Sequence, residues 1–228
     1  MRLELSGVTA GYGHTEVLRD TNISVADGEV VALLGRNGMG KTTVMRVMAG
    51  QLPIALGSRR VNGRSPKSAE AVARAGVAYV PDDRGVFPTL TVTENLRLAN
   101  RRGYEPPFDV GDIFPVIGER ARVKAGDLSG GQKQQLAIAR AFLYGSELIL
   151  IDELSQGLQP SLVRAVLGAT RALAETGVST LFVDQSPDLA LEYCDRILGM
   201  TKGQVVLDAR ATELRKEPDR LSDLLVVS

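Results

Sequence analysis

An apolar pentad, VVALL at Val30 to Leu34, runs straight into GRNGMGKTT at Gly35 to Thr43. This junction limits the chain more than any other stretch does. A short continuous apolar run suits a strand buried on both faces. Three glycines within six residues then let the backbone enter positive-φ turns that aim successive N–H groups at one point. The pair Lys41-Thr42 opens the next helix, so a side-chain ammonium and a helix N-terminus face the same anion. The run reads as a cradle for a polyphosphate on a strand–loop–helix unit.

Within that cradle the residues divide by chemistry. Gly35, Gly38 and Gly40 shape the loop, and Lys41 supplies charge. Thr42 offers a hydroxyl to a phosphate-bound Mg²⁺, while Arg36, Asn37, Met39 and Thr43 contribute backbone groups or lesser side-chain contacts.

The rest of the 228-residue chain is long enough for one well-buried core with a small appended lobe, and too short for two full-sized domains. Lysine plus arginine and aspartate plus glutamate balance at 27 each, so no excess positive charge points to nucleic acid or an acidic membrane surface. No apolar run approaches a bilayer span, and the opening MRLELSGVTA lacks the basic and apolar regions of a secretory signal, which points to the cytosol. Cys194, the one cysteine, reads as a buried structural thiol. His14, the one histidine, rules out a histidine zinc cluster and reads as a solvated surface residue or a loop residue near the nucleotide.

Short β-like stretches around Arg2 to Leu5 and Asn22 to Val25, separated by the turns AGYG and ADGE, predict an antiparallel edge. After the helix TTVMRVMAG, the run GSRRVNG predicts a hairpin. GVAYV (Gly76 to Val80) is a strand stopped by Pro81. Thr91 and Glu94 have capping-box spacing and start a helical stretch broken at YEPPFDV; Ser129 and Gln132 have the same spacing before a second helix. LILI (Leu148 to Ile151) is suited to a central strand, and Ser161 to Glu175 repeats apolar residues at helical spacing before the strand STLFVD. Alternating strands and helices imply an α/β fold with a mainly parallel sheet.

Two further clusters carry chemistry. LSGGQ (Leu128 to Gln132) puts Ser129, Gly130, Gly131 and Gln132 at a helix start able to present backbone donors to phosphate oxygens. LILIDE (Leu148 to Glu153) sends a buried strand out to two acids, where Asp152 can orient Mg²⁺ and Glu153 can polarise an attacking water.

In this order the motifs resemble the ATP-binding cassette (ABC) family over nearly the whole chain, with GRNGMGKTT as its phosphate loop, LSGGQ as its signature and LILIDE as its magnesium and water-activating strand. The resemblance implies a P-loop NTPase fold of the RecA-like kind, with an N-terminal antiparallel β subdomain and a small helical subdomain. It implies one cassette over 1–228, with 1–85 and 128–228 as the nucleotide-binding core and about 86–127 as the helical insert. It also implies ATP and Mg²⁺ as cofactors, Lys41 and Glu153 in catalysis, and Tyr12 at the adenine-stacking position, although Tyr12 reads equally as an ordinary loop tyrosine. Two cassettes pair head to tail in such proteins, and separate transmembrane permease subunits hold them at the inner face of the plasma membrane.

Three positions depart from the common pattern. Asp82 stands where glutamine is usual, Gln185 where the switch histidine is usual, and Leu154 where proline usually follows the catalytic glutamate. The run VPDDRGVFPTLTVTENL is similar to the corresponding segment of cassettes from branched-chain amino-acid, urea and amide importers. Asp82 is therefore expected to act both in catalysis and as a Mg²⁺ ligand, and Gln185 as a γ-phosphate partner that cannot take a proton. The expectation is an importer ATPase with slow but real hydrolysis. The rival readings are a soluble ABC ATPase outside transport and a weakly hydrolysing ATP sensor.

Overall fold

The computed structural model describes residues 1–217, 220 and 221. Strand β1 (Leu3–Tyr12) pairs antiparallel with β2 (Thr15–Val25), so the edge predicted from two short stretches is a pair of long strands. AGYG is not the turn between them. Ala10 to Tyr12 continue β1, and the chain reverses at Gly13-His14. The register shifts along this pair blur the alternation that marks strands in sequence, which hides their length.

Next come β3 (Val30–Leu34), helix α1 (Lys41–Met48) and β4 (Leu56–Val61). The hairpin expected at GSRRVNG is reduced to one bridge, Val61 to Arg64, because β4 instead pairs antiparallel with the free edge of β1. This gives a three-stranded sheet in the order β2-β1-β4. Helix α2 (Ala69–Arg74) leads to β5 (Val77–Val80), followed by a helical stretch of α3 (Val92–Ala99), α4 (Val110–Ile113), α5 (Pro115–Glu119) and a 3₁₀ turn (Ala125–Asp127). The two capping boxes form as spaced: Thr91 and Glu94 cap α3, and Ser129 and Gln132 cap α6 (Gly130–Leu143).

The remaining elements are β6 (Leu148–Ile151), α7 (Pro160–Glu175), β7 (Ser179–Val183), α8 (Pro187–Tyr193), β8 (Arg196–Thr201), β9 (Gln204–Arg210) and α9 (Ala211–Leu214). The second sheet runs β5-β6-β7-β3-β8-β9, parallel except for β9. Every residue of β3, β6 and β7 is buried. Their alternate side chains feed two cores: Val30, Ala32 and Leu34 face one with α6 and α7, and Val31 and Leu33 face the other with α1 and the three-stranded sheet. Cys194 is buried in the first core, as expected of a structural thiol.

This topology has one consequence for chemistry. The loops after β5, β6, β7 and β3 all leave the C-terminal ends of neighbouring parallel strands, the edge where open α/β sheets gather ligands. The strands hold those loops only because they are fixed from both faces. Leu150→Ala, at a fully buried β6 position, is expected to lower unfolding free energy by about 2–5 kcal/mol. Chemical denaturation checks this, and a loss well under 1 kcal/mol would show that β6 is not the clamped strand described.

Candidate active site

Helix α1 begins at the end of a glycine-rich loop with its N-terminus uncapped by any side chain. Side-chain oxygens of Ser68, Thr91, Ser129 and Ser186 cap α2, α3, α6 and α8, whereas Gly40 precedes α1 with no side-chain cap and no acid in the first turn. Among the described residues the N–H groups of Lys41, Thr42 and Thr43 have no protein acceptor. Gly38 (φ 79°) and Gly40 (φ 101°) adopt the left-handed backbone that the loop requires. Donors left open at a helix start suit an anion.

Lys41 is buried, and its Nζ donates to the carbonyl oxygens of Gly35 (2.6 Å) and Arg36 (2.8 Å). Burial lowers its pKa, while Asp152, Glu153 and Asp184 act in the opposite direction. A pocket of about 240 Å³ lies over this cradle, lined by Asn37, Gly38, Lys41, Thr42 and Glu153 among others.

Strand β6 delivers the two acids. Asp152 is fully buried, and neither carboxylate oxygen has a hydrogen-bond partner among protein atoms. Burial pushes its pKa up to about 6, against the pull of the neighbouring Thr42 hydroxyl and reinforced by Asp82 and Glu153. Orphaned hard oxygens beside a threonine hydroxyl fit Mg²⁺, which takes one or two protein oxygens plus phosphate and water. No group of three or more His, Cys, Asp or Glu among the described residues forms a metal cage on its own. Glu153 follows with φ 52°, a left-handed conformation uncommon for a residue with a side chain. Its carbonyl accepts from Gln156 N (3.1 Å) and from the Nε2 of Gln134 on α6 (3.4 Å).

The loop after β7 closes the far wall. Gln185 Nε2 donates to Asn37 Oδ1 (3.1 Å), which brings this position to the phosphate loop. Asp184, not singled out in the sequence, ties two loops together. Its Oδ2 accepts from Ser155 N (3.0 Å), and its Oδ1 accepts from Gln185 N (2.7 Å) and Ser186 N (3.0 Å). An acid ending the apolar run STLFV carries the same signal as Asp152 ending LILI. Gln134, buried between α6 and the Glu153 backbone, had no such signal.

Tyr12 and Asp82 lie on the flank. Arg46, on α1, donates to the Tyr12 hydroxyl (3.3 Å) and to Asp82 Oδ1 (3.4 Å). Tyr12 is exposed at the end of β1, and His14 is exposed in the turn beyond it.

The structure does not bring Ser129 to Gln132 into this cradle; none of the four lines the pocket over the phosphate loop. Their own geometry is well defined. Ser129 Oγ accepts from Gln132 N (3.3 Å) and Gln132 Oε1 accepts from Ser129 N (3.1 Å), so both side chains are spent on the cap. The N–H groups of Gly130 and Gly131 remain without a protein acceptor among the described residues. Gly131 packs against the backbone after Glu153, since a Cβ there would lie 2.2 Å from Gly157 O.

Comparison with known proteins gives the family and the fold. The profile of the ABC transporter family matches residues 18–156. The chain is 34% identical over 225 residues to the high-affinity branched-chain amino acid transport ATP-binding protein BraG of Pseudomonas aeruginosa, covering 95% of this chain and 96% of that one. A solved ATP-binding subunit of an ABC transporter superposes with a TM-score of 0.87 at 28% identity, covering 98% of each chain. A dimeric ATP-binding cassette, MJ0796 in a post-hydrolysis state with ADP and phosphate, shares the fold at a TM-score of 0.81 and 21% identity, covering 92% of this chain and 98% of that one.

One test concerns Asp152 in the nucleotide-free, Mg²⁺-free protein. Its carboxyl ionises near the ordinary 3.8 when unfolded and near 6 when folded. The fold therefore bears a penalty that is absent below about pH 4, grows between 4 and 6, and is complete above 6. Asp152→Asn removes that penalty and is expected to stabilise the free protein by roughly 1–3 kcal/mol at pH 7.5, with the gain shrinking toward pH 5. Denaturant titrations at the two pH values check this; destabilisation at pH 7.5 would contradict it.

With the phosphate cradle, the acids at the end of β6 and the signature helix now placed, and with the family profile and BraG-like identity spanning them, the chain belongs to the ABC transporter family as an ATP-binding subunit that hydrolyses ATP.

Proposed function

We propose that this chain is the ATPase subunit of an importer for branched-chain amino acids or related small amides, working as one of two cassettes paired head to tail beneath separate permease subunits. One observation carries the pairing. Each chain holds an open phosphate cradle at Gly35 to Thr43 and, outside that pocket, a second set of free amide donors at Gly130 and Gly131. A second cassette, identical or related, brings its signature turn over the first chain's ATP and completes the donor set from the opposite side. Phosphate charge then joins two chains, and hydrolysis weakens the joint.

Within one half-site, the cradle amides of Gly35 to Thr43 and Lys41 bind the phosphates. Thr42 and Asp152 would hold Mg²⁺, with Asp82 as the remaining candidate ligand; that ion supplies charge neutralisation and orientation of the phosphates. Glu153 polarises the attacking water, and Gln185 reaches the γ-phosphate side through its amide. Tyr12 stacks on the base. A solute preference for branched-chain amino acids is supported by the identity to BraG and by the VPDDRGVFPTLTVTENL segment.

The permease reading has its own support. A groove of about 440 Å³ runs between β5, the following loop and the helices α3 and α6, with Phe87 and Leu98 exposed at its rim and Tyr144 within. Arg140 lies over the Phe87 ring at 4.8 Å and donates to Gly85 O (2.6 Å), which stiffens one wall. An apolar segment of a permease fits this groove. No helix among the described residues is long and apolar enough to cross a membrane. On this reading the membrane part of the transporter is supplied by separate permease chains, with this one held at their cytoplasmic face.

Glu153→Gln tests both halves of the reading. Turnover is expected to fall at least about 100-fold while ATP still binds, and the ATP-loaded variant is expected to co-purify from membranes with apolar permease subunits. Unchanged turnover would remove Glu153 from the chemistry. Recovery of the ATP-loaded protein with no membrane subunit would favour a cassette outside transport.

A further inference from the structure

Arg46 occupies a place that the site described so far does not use. It lies four residues after Thr42 on α1, hence on the same helix face, one turn from the hydroxyl assigned to Mg²⁺. Its guanidinium donates to the Tyr12 hydroxyl (3.3 Å) and to Asp82 Oδ1 (3.4 Å). The buried Tyr79 hydroxyl, which lacks a partner, and Asp152 belong to the same neighbourhood. One cation thus touches both the tyrosine and the acid on the flank of the cradle.

Asp82 makes this arrangement consequential. A neutral amide at that position is compatible with a triphosphate, whereas a carboxylate there with no cation to offset it repels the phosphates and adds to the charge already placed by Asp152 and Glu153. Asp82 and Arg46 are both about two-fifths exposed, at 40% and 37% of the side chain. A pair so open to solvent contributes little to folding. Its effect falls on the charge that an approaching phosphate meets.

We propose that Arg46 is a positioning residue for ATP hydrolysis: it holds and neutralises the Asp82 carboxylate beside the phosphates. The proposal rests on the reading of Gly35 to Thr43 as an ATP cradle. It makes the acid at position 82 and the arginine at 46 a matched set, so that the contribution of Arg46 to turnover depends on the acid at 82.

A double-mutant cycle on the full chain decides this. Arg46→Gln is expected to lower kcat/KM for MgATP about tenfold, mainly through KM, with little change in thermal stability. In an Asp82→Asn background the same substitution is expected to change kcat/KM less than about twofold. Arg46→Lys, which keeps the charge, is expected to recover most of the loss. Should Asp82→Asn turn over too slowly, the same cycle is read in MgATP affinity by calorimetry. An equal loss from Arg46→Gln in both backgrounds would overturn the proposal while leaving the cradle intact. Absence of any Glu153-dependent turnover in the unaltered protein would bring down the underlying reading, and the proposal with it.

Discussion

A helix whose first turn is left uncapped, with a buried lysine folded into the loop before it, is the constraint on which the rest depends. Lys41 bonds two loop carbonyls and lies within the field of Asp152, Glu153 and Asp184. A buried ammonium survives there because carbonyl dipoles and acids offset its desolvation. The amides at the start of α1 have no such compensation from protein atoms. An anion bridging those amides and the lysine would supply it, and on the proposed reading Asp152 holds a divalent cation beside that anion.

The architecture maintains this imbalance instead of relaxing it. Strands β3, β6 and β7 are packed from both sides, so their C-terminal loops cannot drift apart without opening two cores. Asp184 knits the loops after β6 and β7, and Gln134 ties the signature helix to the left-handed backbone of Glu153. Strain at Glu153 and close backbone contact between Gly131 and Gly157 therefore occupy one continuous structure. On the proposed head-to-tail pairing, this continuity offers a physical route from partner engagement at the signature helix to Glu153.

Much of this was legible in sequence where the signal is local. VVALL followed by GRNGMGKTT defines β3, the loop and α1, because strand periodicity, glycine turns and helix start occur in one unbroken run. The capping boxes at Thr91 and Ser129 needed only a spacing of three. What escaped notice depends on pairing across long separations. GSRRVNG suggested a local hairpin, yet β4 pairs with β1 some fifty residues earlier. Bulged register concealed the length of β1 and β2. Gln134 looks like any polar helix residue until the fold places it under Glu153, and Arg46 looks like a solvated charge until β1 and the loop after β5 bring Tyr12 and Asp82 to it.

The most direct test of this account removes the lysine alone. Lys41→Ala, compared with the unaltered chain in calorimetric titrations of MgATP and in steady-state hydrolysis, is expected to weaken nucleotide binding at least about tenfold and to abolish measurable turnover, with the fold retained by circular dichroism. Undiminished ATP affinity and turnover in a folded Lys41→Ala protein would contradict the account at its base.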